Sequence, residues 1–458
     1  MKKRRIISIK VEMKASLLCF LSFAFIPFYS IAQNNETGSS NKAFTLQQCI
    51  DYALKNQPAL NQSLINISIV KKTNDISLSG WLPQVNLSGN LVHYYQLPTS
   101  FIANSAVPGG PPLETHSGIA NTFIPDLSAT QTIFNPQLLY AANSASLYID
   151  QAKEISDSSK INAVVTVSKS FYNLLLTLEE INVLKGDTAQ FARNVKDTYH
   201  QYIGGIVDKT DYEEAVITLN NTKAQLQQQV NNINPQYAVL KQAMGYPPEK
   251  QFNLSVDTLQ MMKEIGFDTT RSLEFQKRIE FQQVQTEKQL QYQLTDYYRL
   301  AFLPTLGAFY NYYYEYENSN FSDLFSHAYP YSDIGLSLNI PLFTGFSRLN
   351  NVQKSRLQSQ VLDWSEINLK SLIYTQYTSA LANYKSYFYN WNLLKDNVTM
   401  AKDAYRIVDL QYRQGTVPYL NVIVAESNLI TAEIGYSNAL FQVLSSKIDL
   451  EKAMGDIR

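Results

Sequence analysis

The sequence predicts an α+β membrane protein. Four strands from each chain join a transmembrane β-barrel shared between copies, and this barrel continues into a long α-helical barrel. Three observations predict it. A helical hairpin is written twice, four segments alternate like strands of membrane-spanning length, and two proline-free stretches are too long for helices of a compact domain.

The duplication is read directly. Tyr202, Gly205, Val207, Ala215, Leu219, Ala243, Met244 and Gly245 recur as Tyr412, Gly415, Val417, Ala425, Leu429, Ala453, Met454 and Gly455. The offset is constant, since 412 − 202 = 210 and 455 − 245 = 210. The chain therefore divides into a first repeat over 33–245, a linker over 246–270 and a second repeat over 271–458.

Bulk composition sets the class. The 458 residues carry a net charge of −1, which argues against a nucleic-acid binder with a basic face. Charged residues make up 17%, below the usual ~25%, and 31 tyrosines suit surfaces that are half wet and half apolar. Residues 1–32 read as an export signal. Lys2, Lys3, Arg4 and Arg5 precede the apolar run Ala15 to Ile31, and Ser30-Ile31-Ala32 places cleavage before Gln33. Met13-Lys14 could also begin a complete signal. Leu17-Leu18 before Cys19 offers no small residue for a lipoprotein site. Cys49 alone then remains, so no internal disulfide forms. No later run of ~18 apolar residues is found, so no transmembrane helix is expected to follow.

Each repeat reads helix, strand, loop, strand, very long helix, tight turn, helix. The first helix runs from Phe44 to about Ser79 and stops before Trp81-Leu82-Pro83, because proline biases the preceding residue toward extended backbone. Its counterpart starts near Ser272 and stops at Phe302-Leu303-Pro304. Strands follow. Val85, Leu87, Gly89 and Leu91 alternate with Asn86, Ser88 and Asn90. Leu306, Ala308, Tyr310, Tyr312, Tyr314 and Tyr316 share one face. Ile334, Leu336, Leu338, Ile340 and Leu342 alternate with polar residues without a fault, and a weaker strand spans Leu127 to Phe134. Gln96 to Pro125, rich in Pro, Gly and Ser, is expected to be a loop, with Asn318 to Ser332 as its shorter counterpart.

Long helices are expected from about Gln137 to Tyr202 and from about Leu349 to Tyr412, rods of roughly 100 Å at ~1.5 Å per residue. The return helix carries Ala215, Leu219, Thr222, Leu226, Val230, Ile233, Tyr237 and Leu240 in steps of three and four, repeated from Ala425 to Leu450. Pro235 should kink the first copy only, because Ser445 replaces it in the second. Four strands cannot close a transmembrane barrel, which needs about eight at least. Open edges are not tolerated in lipid, so several chains must share one barrel. The physics leaves their number open.

The sequence resembles the TolC family of outer-membrane efflux channels. The resemblance rests on Tyr412-Arg413-Gln414-Gly415-Thr416-Val417, on Leu420-Asn421-Val422-Ile423-Val424-Ala425-Glu426, on Leu450-Glu451-Lys452-Ala453-Met454-Gly455, and on the junction Pro341-Leu342-Phe343-Thr344-Gly345-Phe346 with its degraded copy Ile133-Phe134-Asn135-Pro136. It implies a homotrimer with a twelve-stranded barrel in the outer membrane of a Gram-negative bacterium and a periplasmic helical tunnel. It implies no chemistry and no cofactor. The partners it implies are outer-membrane lipid, a periplasmic adaptor and an inner-membrane pump of RND, ABC or MFS type.

The family's gate lies at the helical tips, Tyr202 to Glu214 and Tyr412 to Val424. Tyr412 and Asp211 match latch positions of the closed state, whereas Val417 stands where the family has a latch arginine. Asn421 and Val424 stand where it has an acidic entrance ring, so the cation site of that ring is expected to be missing. Gly205, Val207, Gly415 and Val417 are the adaptor-docking candidates. Asp208 and Asp211 also suit helix capping and dipole opposition, and Glu213 and Glu214 a solvated face. His93, His116, His200 and His327 lack metal-pair spacing, and no catalytic constellation or phosphate loop is present. The alternative is an exported coiled-coil or adhesion-type protein without a channel. A soluble sheet need bury only one face against helices, while a duct needs a lipid face and a polar face on every strand.

Overall fold

Proline and glycine set the element boundaries. In the computed structural model, which describes residues 43–102, 110–255, 261–262 and 265–457, β1 (Ala43–Phe44) leads into α1 (Leu46–Asn56). Thr45 and Gln48 cap α1 reciprocally. The expected single helix from Phe44 to Ser79 is two helices. Pro58 lacks an amide hydrogen and holds Gln57 extended at φ −65° and ψ 124°, so α1 stops there and α2 (Pro58–Leu78) begins. The export-signal expectation falls on residues outside those described.

Next come β2 (Gln84–His93), β3 (Thr99–Ile102), β4 (Leu113–His116) and β5 (Asn121–Phe134). The segment expected to be loop from Gln96 to Pro125 therefore carries an antiparallel hairpin, β3 with β4, and the start of β5. The Pro-Gly cluster at 107–112 lies between the two hairpin strands rather than throughout the segment. Pro125 sits inside β5 because its missing donor removes only part of one ladder. Pairing to the neighbouring strand skips Ile124 and Pro125 and resumes at Asp126.

The helix α3 (Pro136–Ile203) has 68 residues and α4 (Lys209–Met244) has 36, running through Pro235 without interruption. One 18-residue window of α3 is apolar enough to cross a membrane by length and composition, which the sequence reading had not singled out. Half of that window is buried inside the chain, as in a core helix. The linker contributes β6 (Asn253–Leu254), which pairs with β1 in parallel. The second half repeats the order. It has α5 (Ile279–Leu300), which starts seven residues beyond the expected Ser272, then β7 (Thr305–Asn318) and β8 (Ala328–Asn339). A 3-10 turn over Phe321–Ser326 leaves a shorter loop than expected between these strands. Finally, α6 (Ser347–Arg413) has 67 residues and α7 (Tyr419–Met454) has 36.

The four long strands form one antiparallel sheet in the order β2-β5-β7-β8. Register places Leu87 beside Leu127, Leu127 beside Tyr312, Val85 beside Ala129, Ala129 beside Tyr310 and Tyr310 beside Ile334. One face is thus apolar across all four strands, and the equivocal segment at Leu127 joins it. The opposite face carries Asn86, Ser88, Asp126, Ser128, Thr130, Asn311 and Asp333. Among the described residues no long helix covers the apolar face. Leu87 is 77% and Ile334 82% exposed. Both outer strands, β2 and β8, lack a second neighbour within the described residues.

The core lies where the helices converge beyond the sheet. Val167, Phe171 and Leu174 of α3 pack with Leu240 and Met244 of α4, Trp391 of α6, and Val443, Leu450 and Met454 of α7. Cys49 is fully buried there, and burial pushes its thiol up to about 12, so it is unreactive. Four glycines close the helices in left-handed backbone. Gly205, Gly245, Gly415 and Gly455 have φ between 67° and 76°. Each helix end is sealed by the paired backbone bonds of a Schellman motif, such as Ile206 N–H to Gln201 C=O and Asp456 N–H to Glu451 C=O. A Cβ on Gly245 would lie 2.6 Å from the Asn56 carbonyl oxygen, and one on Gly455 2.7 Å from that of Lys277.

Gly245→Ala and Gly455→Ala are therefore each expected to destabilise the fold by about 1–3 kcal/mol, from left-handed strain plus the backbone clash. Denaturant unfolding in detergent, followed by circular dichroism, checks this. An unchanged midpoint would mean that the backbone yields freely.

Candidate functional site

The two hairpin tips are turns of similar build. α3 ends in Gly204-Gly205 and α4 restarts at Lys209, while α6 ends at Arg413 and α7 restarts at Tyr419. Thr416 tightens the second turn by donating to the Gln411 carbonyl at 2.9 Å. Gly205 and Gly415 are exposed, with Val207 and Val417 half-buried beside them. Asp208 occupies the N-cap of α4, yet its side chain makes no capping bond. The expected capping hydrogen bond is therefore not made there, and a favourable position against the helix dipole remains.

The tips are held together by a small apolar cluster. Ala215, Tyr419 and Val422 are buried, with Val195, Tyr405, Val408, Tyr412 and Ile423 packed around them. Tyr412 and Tyr419 lie 5.3 Å apart between ring centroids. The Tyr412 hydroxyl donates to Gln201 Oε1. Asp211 sits in the first turn of α4, half-buried, and acts on Tyr412 through charge rather than a hydrogen bond. Burial, with Asp211 and Asp197 nearby, raises the Tyr412 hydroxyl above its ordinary value. The structure thus brings Tyr412 and Asp211 near one another and inserts Gln201 as the bonded partner.

Sequence reasoning missed Gln201, and it missed a second join two turns further from the tip. Asn194 Nδ2 donates to Glu426 Oε1 at 2.6 Å, linking α3 to α7. Glu426 is 3% exposed, and its other oxygen has no partner. Val417, Asn421 and Val424 do not share in this contact. Asn421 and Val424 are exposed, on the side of α7 turned away from the buried Val422, Ala425 and Glu426. That strip carries no charge. On the first tip Ile203 and Ile206 are exposed apolar side chains. The only signal for Gln201 was its place one residue before Tyr202.

Comparison with known proteins agrees with this architecture. The family model described as outer membrane efflux protein matches residues 49–246 and 272–456. The outer membrane protein TolC of Vibrio cholerae is 21% identical over 454 residues, spanning 94% of this chain and 95% of that protein. Among solved structures, the outer membrane protein VceC of Vibrio cholerae superposes with a TM-score of 0.69 at 15% identity, covering 90% of this chain and 96% of that one. The CmeC outer membrane channel of Campylobacter jejuni gives 0.70 at 17% identity, covering 90% and 85%. The open state of the MtrE outer membrane channel of Neisseria gonorrhoeae gives 0.68 at 17%, covering 90% and 88%. These likenesses show the fold.

Tyr419 is the side chain on which the tip cluster depends. Tyr419→Ala is expected to remove about 3–5 kcal/mol of packing locally. Amide exchange over residues 405–425 should accelerate while residues near Leu240 keep their protection. Uniform protection in both regions would show that the cluster does not hold the tip.

Proposed function

The chain belongs to the outer membrane efflux protein family, and from that membership we propose that it is the outer-membrane exit channel of a tripartite efflux or type I secretion system. In this reading the protein is a passive conduit, gated at its periplasmic helical tips. One observation carries it: the four-stranded sheet is apolar and bare on one face, polar on the other, and unpaired at both edges. In water such a face would be covered by helices, so the alternative of an exported soluble rod is not favoured. In lipid the bare face is what the surroundings require, and the open edges then demand closure.

Closure between copies follows from the strand count. β8 of one copy can pair with β2 of the next, and three copies of four strands give twelve. The homotrimer, the shared barrel and the origin of the two repeats by duplication are part of this proposal. Two aromatic levels support it. Phe302, Phe343 and Phe346 are exposed where strands meet helices, and Tyr312 and Tyr314 lie on the apolar face further along β7. About ten residues of strand separate the levels. At ~3.3 Å per residue and a tilt near ~40°, the height between them is roughly 25 Å, the apolar band of a membrane barrel.

Domain assignment follows the same reading, with an export signal over 1–32, repeats over 33–245 and 271–458, and a linker between them. Gly205, Val207, Gly415 and Val417 would present the turns to a periplasmic adaptor, which couples the channel to an inner-membrane pump. Asp211, Tyr412, Val417, Asn421 and Val424 are the gate candidates. With Asn421 and Val424 uncharged, the entrance would close by packing and neutral hydrogen bonds rather than by an acidic ring.

The purified protein is expected to run as a heat-sensitive trimer in detergent, and a monomer by light scattering would contradict the shared barrel. Tyr412→Phe, which loses the bond to Gln201, and Asp211→Ala are each expected to raise single-channel conductance in planar bilayers. Wild-type conductance in both variants would remove these residues from the gate.

A further inference from the structure

The two hairpins of one chain meet along the seam between α3 and α7. Antiparallel polar rungs cross it. Lys452 reaches Asn162 at 2.9 Å, Lys169 reaches Asp449 at 2.6 Å, Asn438 reaches Glu180 at 3.3 Å and Asn194 reaches Glu426 at 2.6 Å. Toward the tips the rungs fall in heptads. Glu180, Asp187, Asn194 and Gln201 recur every seventh residue on α3, and Tyr419, Glu426 and Glu433 do so on α7. Side chains at that spacing stay on one side of a helix that packs in a coiled coil.

Two of these groups are left incomplete. Glu426 Oε2 and Asp187 Oδ2 are buried atoms without a hydrogen-bond partner. Two nearby cations of α6 are paired with other carboxylates. On α6, Lys402 is paired with Glu433 of α7 at 2.9 Å and Arg413 with Asp409 at 2.9 Å. Tyr405 of α6 approaches the Glu426 carboxyl without closing a bond onto Oε2, and Tyr419 of α7 lies near it. Asp187 and Asp409 add negative charge to the surroundings of Glu426, and Glu433 adds it to those of Asp187. Glu426 is buried and Asp187 half-buried on opposing helices, and the negative charge around them favours their protonated forms.

The adjoining helices each carry a mid-helix glycine. Gly186 precedes Asp187 on α3 and Gly435 lies two residues past Glu433 on α7, and a Cβ at either would meet nothing within 4 Å. Neither glycine is needed for close packing, and mid-helix glycine weakens a helix.

We propose that Glu426 and Asp187 form a proton-operated catch: protonated, they let the α3–α7 seam close at the tips, and ionised, they push the tip segment of α7 away from α3 about Gly186 and Gly435. This rests on the channel reading and deepens it by naming how its entrance responds to the periplasm. Burial first raises Glu426 to about 7 and Asp187 to about 6; the Asn194 bond and the approach of the Tyr405 hydroxyl lower Glu426, and the neighbouring negative charges add to the rise of both. The sign follows. In the closed seam both acids hold a proton above the range in which exposed carboxylates lose theirs. Closure is therefore complete at low pH, weakens as pH rises through that range, and is weakest above about 7.

Single-channel recordings of the full chain in planar bilayers from pH 5 to 8.5 test this. Wild-type conductance should rise by about threefold or more and level off above about 7, since each unit of pKa difference is worth about tenfold in the equilibrium. Glu426→Gln and Asp187→Asn, which keep shape and remove the charge, should stay low across the range. Amide exchange of residues 185–200 and 412–435 gives a second readout, accelerating with pH beyond the intrinsic rate in wild type but not in the variants. A conducting wild type without pH dependence, or a Glu426→Gln channel with the wild-type profile, overturns the catch and leaves the channel standing. No conductance at any pH overturns both.

Discussion

A β-sheet with one bare apolar face and two unpaired edges cannot exist alone in either water or lipid. Water penalises the face, and lipid penalises the edges. Everything else in this molecule can be ordered by that constraint. In the proposed channel, sister copies complete the ladder and a bilayer covers the side chains. The helices then need only continue the wall, which explains why 68 residues follow β5 almost directly and 67 follow β8 after a short connection over 340–346. Their length comes from packing along the whole run, since intrinsic propensity would not sustain so long a helix.

Within the helical part the division of labour is clear. Apolar side chains fill the core between the sheet and the tips, where Leu240, Met244, Val443 and Met454 meet. Nearer the tips that filling thins to a handful of residues around Tyr419 and Val422. Polar rungs between α3 and α7 take over part of the adhesion. Neutral bonds such as that of Tyr412 with Gln201 are cheap to break and remake, because water can replace either partner. A seam made this way is cohesive without being permanent, which is what a moving entrance requires.

Much of the architecture was legible in the sequence because it is periodic. Alternation at Ile334, Leu336 and Leu338 gave the strand, and the constant offset between Gly205 and Gly415 gave the two hairpins. What was not legible depends on partners distant in sequence. The β3–β4 hairpin hid behind a Pro-Gly cluster that belongs to its connection alone. The break at Pro58 was written in the chain but was outweighed by the helical pattern on both sides. Asp211 was singled out as Tyr412's counterpart, whereas the hydrogen bond goes to Gln201. The Asn194–Glu426 join carried a usable signal, a seven-residue spacing on both strands of the seam, but a buried glutamate on a long helix reads like any solvated one until its neighbour is known.

The left-handed glycines have one more consequence. From Gly205 to Gly245 and from Gly415 to Gly455 the chain counts the same number of residues, and Gly245 and Gly455 are jammed against backbone at the far end. Both return helices are thus measured from a fixed stop and have the same length. Adding one residue to either helix would lift its tip by ~1.5 Å and swing it by ~100°. The lengths of α4 and α7 should therefore stay tied to one another whatever side chains they carry.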